Sequence, residues 1–255
     1  MYNPMFDVEG KIVFITGSGR GLGFAYAKGY LNAGATVVMN ATNAEKLAST
    51  VDGLREEGFH AYGYAFDVSD EAQVVENVDR IESEVGPIDI LINNAGIHKR
   101  NKLIDMTSEE WRKVIDVNLS SAFLVGQAVA RKMMARRRGK IINITSLNAE
   151  LARANIANYS SAKGGLKMLT KSMATEWGEY GITCNAIGPG YIETDLTKPL
   201  VEDIEFNKWV VSEVPLRRWG KPEDIIGTAI FLGSPASDYI NGYTIYVDGG
   251  WQACL

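Results

Sequence analysis

Short apolar runs alternate with longer amphipathic stretches along almost the whole chain. The runs are Lys11–Thr16, Thr36–Asn40, Ala61–Phe66, Ile88–Asn93, Lys140–Ser146, Ile182–Ile187 and Thr244–Val247. Rich in Val and Ile and apolar on both alternating faces, they read as strands covered by helices on either side. Helical periodicity predicts helices near 21–33, 43–57, 70–85, 107–135, 157–179 and 222–233. The last opens on Lys221-Pro222-Glu223-Asp224, a proline and two acids suited to a first helical turn. Alternation of this kind predicts an α/β fold, a doubly wound parallel sheet of about seven strands with helices on both faces. Right-handed crossovers then bring the loops that follow the strand C-termini to one edge, where ligands bind. The stretch 191–218 breaks the alternation, long and of mixed polarity between the sixth strand and the last helix. A segment of that length is either a substrate lid or a plain connection.

Composition narrows the class without changing the fold. The 255 residues suit a single domain spanning 1–255, since α/β folds of this size run unbroken. Its 26 Lys and Arg against 31 Asp and Glu leave a formal charge of −5, which gives no reason to expect nucleic acid or an anionic membrane as partner. No apolar run approaches the ~18 residues of a membrane span, and Met1–Gly10 lacks the basic and apolar regions of a secretory signal. A cytoplasmic location is expected. Cys184 and Cys254 stand apart, as thiols in a reducing compartment do, and His60 and His98 have no metal-binding spacing, so no metal site is expected. Arg136-Arg137-Arg138-Gly139-Lys140 reads as cations at a helix C-terminus, and His98-Lys99-Arg100 as a solvated loop.

Candidate chemistry begins right after the first strand, at Thr16-Gly17-Ser18-Gly19-Arg20-Gly21-Leu22-Gly23. Gly17 allows a tight turn, Gly21 the approach of backbone to a pyrophosphate, and Gly23 close packing of the helix on the sheet. The helix N-terminus offers unpaired N–H groups and a partial positive charge to that anion. An acid at the end of the second strand would accept the 2′-hydroxyl of NAD and repel the 2′-phosphate of NADP. The chain has none there, reading Val38-Met39-Asn40-Ala41-Thr42-Asn43, while Arg20 lies within the glycine turn. NADP is therefore preferred, with NAD as the alternative.

Tyr159-Ser160-Ser161-Ala162-Lys163 sets a tyrosine and a lysine on one face of a helix. A free phenol, with a pKa of about 10, is a poor base at neutral pH. An ammonium ~4 Å away would stabilise the phenolate by about 4 kcal/mol and make general acid–base work feasible. Beside this pair stand Asp67-Val68 after the third strand, Asn93-Asn94-Ala95-Gly96 after the fourth and Asn118. Ser146 follows the fifth strand, Pro189-Gly190 the sixth and Val247-Asp248-Gly249-Gly250 the seventh. In this order the pieces resemble the short-chain dehydrogenase/reductase family over essentially the whole chain.

That resemblance implies a Rossmann-type fold and hydride transfer with NADP or NAD. It implies that Tyr159 is the acid/base, that Ser146 bonds the substrate oxygen, and that Lys163 lowers the tyrosine pKa and holds the nicotinamide ribose. Asn118 would anchor a water that carries protons to solvent. Cofactor contacts are implied for Gly17, Ser18, Arg20, Gly21, Leu22, Gly23, Asn40, Thr42, Asp67, Val68, Asn94, Ala95, Gly96, Tyr159, Lys163, Pro189, Gly190, Ile192 and Thr194. The stretch Ser146–Arg153, with Arg218-Trp219-Gly220 and the end through Gly250, is most similar to members acting on sugar acids. Asn148, Glu150 and Arg153 then join Ser146 and Tyr159 as substrate contacts, Arg153 clamping a carboxylate and the others meeting hydroxyls. The implied reaction interconverts D-gluconate and 5-dehydro-D-gluconate. Alternatives are a 2-dehydro-3-deoxygluconate dehydrogenase, a 3-oxoacyl thioester reductase and a non-catalytic nucleotide sensor. The resemblance further implies a homotetramer built partly on helices 107–135 and 157–179.

Overall fold

The computed structural model describes residues 4–194 and 197–254. Its seven strands are β1 (Ile12–Ile15), β2 (Thr36–Ala41), β3 (Ala61–Ala65), β4 (Ile90–Asn93), β5 (Gly139–Ile144), β6 (Ile182–Pro189) and β7 (Thr244–Val247). All neighbouring pairs are parallel, in the order β3-β2-β1-β4-β5-β6-β7, the doubly wound arrangement expected. Side-chain alternation explains the apolar runs. Val13, Ile15, Val37, Met39, Ile90, Ile92, Ile142 and Ile144 enter one core. Phe14, Val38, Leu91 and Ile141, one residue out of step, enter the other. Each such buried aliphatic side chain contributes about 1.5–3 kcal/mol, and the sheet needs a helical layer on each face to collect it.

The first core is closed by α1 (Gly21–Asn32) and α9 (Glu223–Gly233), with Tyr26, Tyr30, Ile225 and Leu232 fully buried. The second is closed by α3 (Glu71–Glu84), α5 (Ser121–Arg136) and α6 (Ala157–Trp177). Between β2 and β3 runs α2 (Ala44–Glu56), started by the Asn43 side chain, which accepts from Lys46 N–H. Asp70 starts α3 in the same way, and a Thr107–Glu110 capping box starts α4 (Ser108–Ile115). The single helix expected over 107–135 is two, α4 and α5, joined by a π-helical turn over Asp116–Ser120 that buries Asn118.

The basic run at 136–138 is used within the fold. Arg136 pairs with Glu82 and Arg138 with Asp89, and Arg137, left-handed at φ 53°, donates to the Glu179 carbonyl. No helix among the described residues is long and apolar enough to cross a membrane.

The segment after β6 leaves and returns at one point. Ile192 bridges Gly220, and Gly220 N–H donates to the Tyr191 carbonyl. Between these ends lie α7 (Lys198–Glu202) and α8 (Ile204–Glu213), held by a separate small core of Val210, Val214 and Trp219. Asp195 and Leu196, inside the expected lid, lie outside the described residues.

Candidate active site

The glycine turn is built as its spacing requires. Gly17 and Gly21 have φ of +62° and +57°, a region closed to most side chains. A Cβ on Gly17 would lie 2.8 Å from Ala95 Cα, whereas one on Gly21 would meet nothing within 4 Å. Gly21 therefore faces open space. Gly23 is pinned, since a Cβ there would lie 2.4 Å from the Gly17 carbonyl oxygen. No side chain caps α1, in contrast to α2, α3 and α4, so its first N–H groups stay available to an anion. A groove of about 380 Å³ opens there, lined by Gly21, Glu193, Thr194, Lys198, Val201 and Pro222.

Some expected contacts are instead turned inward. The Ser18 hydroxyl donates to the Ile15 carbonyl and accepts from Asn40 N–H, at 2.8 and 3.0 Å. Asn40, 2% exposed, accepts from Gly17 N–H and donates to the Tyr64 and Phe66 carbonyls. Asn94 donates through its amide to the Thr16 and Gly17 carbonyls. These three side chains brace the turn against β2, β3 and β4. Thr16, passed over in the sequence, accepts from Asn94 and Ala95 N–H; a hydroxyl ending an otherwise apolar strand was the available signal. Asp67 accepts from Ser69 N–H and hydroxyl, which holds its carboxyl below the usual range, and Val68 is buried beside it.

At the same sheet edge lie Arg20 and Thr42, both exposed. Gly19 sits against the end of β2, where a Cβ on it would lie 3.3 Å from Ala41 Cβ, so Arg20 stands beside the strand end. Ile192 is buried, Thr194 shares hydrogen bonds with Thr197, and Pro189 ends β6. Gly190 packs on Asp248, since a Cβ there would lie 2.6 Å from Asp248 Cα.

Ser146, Tyr159 and Lys163 converge where β5 ends. Ser146 is 7% exposed, its hydroxyl accepts from Asn148 N–H at 3.1 Å, and it stands beside the Tyr159 phenol. Lys163, 4% exposed, stands 5.7 Å from the centre of the Tyr159 ring and donates to the Ile144 carbonyl at 2.6 Å. Burial pulls its ammonium down to about 8. Burial also holds the Tyr159 phenol above its ordinary range, with the neighbouring Ser146 hydroxyl working against it; desolvation of the phenolate is the larger influence in the chain alone.

Helix α6 is fixed by a buried polar chain absent from the sequence reading. Asn93 donates to Asn143, Asn143 to Thr170, and Thr170 to the Leu166 carbonyl, at 2.9, 2.9 and 2.8 Å. Asparagines inside two apolar strands were the visible signal. Asn118 spends both ends of its amide on the backbone of Ile97, accepting at 2.7 Å and donating at 2.9 Å. The amide thereby holds the loop after Gly96. His98 in that loop stacks on Tyr159, so it is not the solvated residue expected.

Beyond Ser146, Glu150 and Arg153 part company. Glu150 pairs with Lys167 and accepts from the Tyr246 hydroxyl at 2.7 Å. Arg153 reaches the small core of the 191–220 segment. It donates to the Tyr191 hydroxyl at 3.2 Å and lies 4.4 Å from the Phe206 ring centre and 5.5 Å from that of Trp209.

Known proteins resemble the chain over nearly its full length. The family profile described as enoyl-(acyl carrier protein) reductase matches residues 17–252. A 2-dehydro-3-deoxy-D-gluconate 5-dehydrogenase of Formosa agariphila is 49% identical over 98% of this chain and 96% of its own. A gluconate 5-dehydrogenase of Gluconobacter oxydans is 46% identical over 98% of each. The crystal structure of a gluconate 5-dehydrogenase from Burkholderia cenocepacia, in complex with NADP and tartrate, superposes with a TM-score of 0.96 at 47% identity, covering 99% of both chains.

Proposed function

The chain belongs to the short-chain dehydrogenase/reductase family, and from that premise we propose that it oxidises and reduces a sugar acid at a CH–OH carbon, interconverting D-gluconate and 5-dehydro-D-gluconate with NADP(H). The observation that carries the chemistry is the convergence of Ser146, Tyr159 and Lys163 at one strand end, beside an uncapped helix N-terminus. The nicotinamide nucleotide supplies or accepts the hydride. Its pyrophosphate fits the open face of Gly21 and the groove along Thr194, and Asp67, Val68, Ala95 and Gly96 offer the adenosine side.

Tyr159, a phenol protonated at neutral pH and made less acidic still by burial, is in the form that gives a proton to a ketone oxygen. Ser146 donates to the same oxygen and stabilises its growing charge. In the reverse direction the phenolate is needed, and the Ser146 hydroxyl and the Lys163 charge favour it. Arg153 meets the substrate carboxylate from the lid side, and the 191–220 segment closes over it.

NADP is preferred because β2 ends without a carboxylate while Arg20 stands beside it. A second reading, 2-dehydro-3-deoxygluconate oxidation, is favoured by the relative of that name at 49% identity. Exposed Phe123 on α5 and Met168 on α6 support assembly through these helices as a homotetramer, which light scattering tests. For the reaction, reduced-nicotinamide absorbance is followed with D-gluconate, 5-ketogluconate, 2-keto-3-deoxygluconate and a 3-oxoacyl thioester, each with both cofactors. A tenfold preference, about 1.4 kcal/mol of transition-state binding, selects the substrate. Turnover of none of the sugar acids refutes the proposal.

A further inference from the structure

His98 occupies a place that its sequence context does not suggest. Its ring lies face to face on that of Tyr159, centroids 3.8 Å apart and planes tilted by 24°. The loop that carries it is tied down on both sides. Asn118 clamps the backbone of Ile97, Asn158 donates through its amide to the Lys99 carbonyl at 3.2 Å, and Asn101 N–H donates to the Asn155 carbonyl at 3.1 Å. Asn158 is fully buried and accepts from Tyr159 N–H, so a single side chain connects the His98 loop to the backbone of the tyrosine. The imidazole itself makes no hydrogen bond through Nδ1, which is buried without a partner. The loop sets the position of the ring, and the stack is its contact with Tyr159. Burial, with the cations Arg100 and Lys163, brings its pKa down to about 4, so at neutral pH an uncharged ring faces the phenol.

We propose that His98 is a positioning residue for Tyr159: the flat neutral imidazole fixes the plane of the phenol, and so the direction from which its hydroxyl meets Ser146 and the substrate oxygen. The need for it is geometric. The O–H bond of a phenol prefers the plane of its ring, so the neighbour laid on the ring face, with Lys163 5.7 Å from the ring centre, sets the direction in which the proton is presented. Proton transfer tolerates little misalignment of donor and acceptor. The inference rests on the proposed acid/base role of Tyr159 and deepens it.

The test compares His98→Ala and His98→Phe with the wild type by two readouts. The first is kcat and KM with the best sugar-acid substrate, together with NADPH affinity by fluorescence. The second needs no substrate: the phenolate ultraviolet titration of Tyr159, taken as the difference from Tyr159→Phe in each background. In His98→Ala the exposed ring face admits water, so the titration midpoint is expected to fall toward the ordinary tyrosine value. Its kcat is expected to fall about tenfold with KM and NADPH affinity within a factor of about three, a loss of about 1.4 kcal/mol in the transition state alone. His98→Phe, which keeps a ring on the phenol, restores both.

A lower midpoint makes the phenol a stronger acid, so a lower kcat for ketone reduction alongside it cannot come from weakened acidity and reports orientation. Unchanged kcat in His98→Ala, equal losses of kcat and NADPH affinity, or failure of His98→Phe to rescue overturns the proposal. Should His98→Ala not fold, a His98→Phe enzyme below about one third of wild-type kcat does so as well. Absence of turnover in the wild type refutes the sugar-acid reading, while an unmoved Tyr159 titration in His98→Ala refutes the stack alone.

Discussion

Cofactor choice gives a sharp quantitative test, through Arg20→Ala. The guanidinium is exposed and has no hydrogen-bond or ion-pair partner among the described residues, so its removal leaves the fold intact. Gly19 packs on Ala41 at the end of β2, and the proposed NADP preference assigns the neighbouring Arg20 to the ribose 2′-phosphate. A charge-assisted hydrogen bond to phosphate is worth about 1.5–3 kcal/mol, which converts to a roughly 10- to 150-fold loss of affinity. NADPH and NADH affinities are measured by fluorescence titration at low and high salt. Arg20→Ala is expected to weaken NADPH within that range and to leave NADH unchanged, with a smaller effect at high salt because the site is open to screening. A companion change, Ala41→Asp, sets a carboxylate at the strand end and should reverse the preference by accepting the 2′-hydroxyl of NADH. Equal losses for both nucleotides in Arg20→Ala, or no loss at all, would refute the assignment of Arg20 to the phosphate.

Three further changes probe the rest of the site. Tyr159→Phe should lower kcat by about 10²–10⁴-fold with NADPH still bound, as expected for loss of a general acid; near-normal turnover contradicts the mechanism. Arg153→Ala removes the contacts to Tyr191, Phe206 and Trp209 and should raise KM for sugar acids about 10- to 100-fold. A neutral polyol serves as control, and equal losses on both would reduce Arg153 to a brace for the lid. Asp224 accepts two bonds from Arg218 and one from Lys221 N–H, which bring its carboxyl down to about 2. The stability it adds is present above the ordinary carboxylate pKa and lost as pH falls through about 2. With the side chain 34% exposed, solvent screening reduces this to about 1 kcal/mol, so Asp224→Asn should lower Tm by a few degrees at neutral pH and by progressively less below about pH 4.

How much of this was legible in the chain follows from which interactions are local. Strand and helix positions, the parallel sheet and the glycine turn depend on spacing along the sequence, because a strand buried on both faces must be apolar at every position. The spacing of Tyr159 and Lys163 is likewise a helical fact. Two sets of side chains take partners that lie far along the chain. Glu150 and Arg153 are three residues apart, yet one turns to Lys167 and the other to the aromatic rings of the 191–220 segment. Ser18 and Asn40 carry the donors a phosphate or ribose would want, yet spend them on each other and on β3. Buried polar groups must be satisfied, and the partners that satisfy them come from distant segments.

His98 belongs to the same class. Its neighbours in sequence are charged, and only the loop ties from Asn118 and Asn158 lay it on the tyrosine. The sequence by itself determined the layers, the sheet edge that bears the chemistry and the residue types found there. Which of those side chains face a ligand and which brace the fold was decided by tertiary structure, since desolvation and hydrogen-bond satisfaction are properties of the packed molecule.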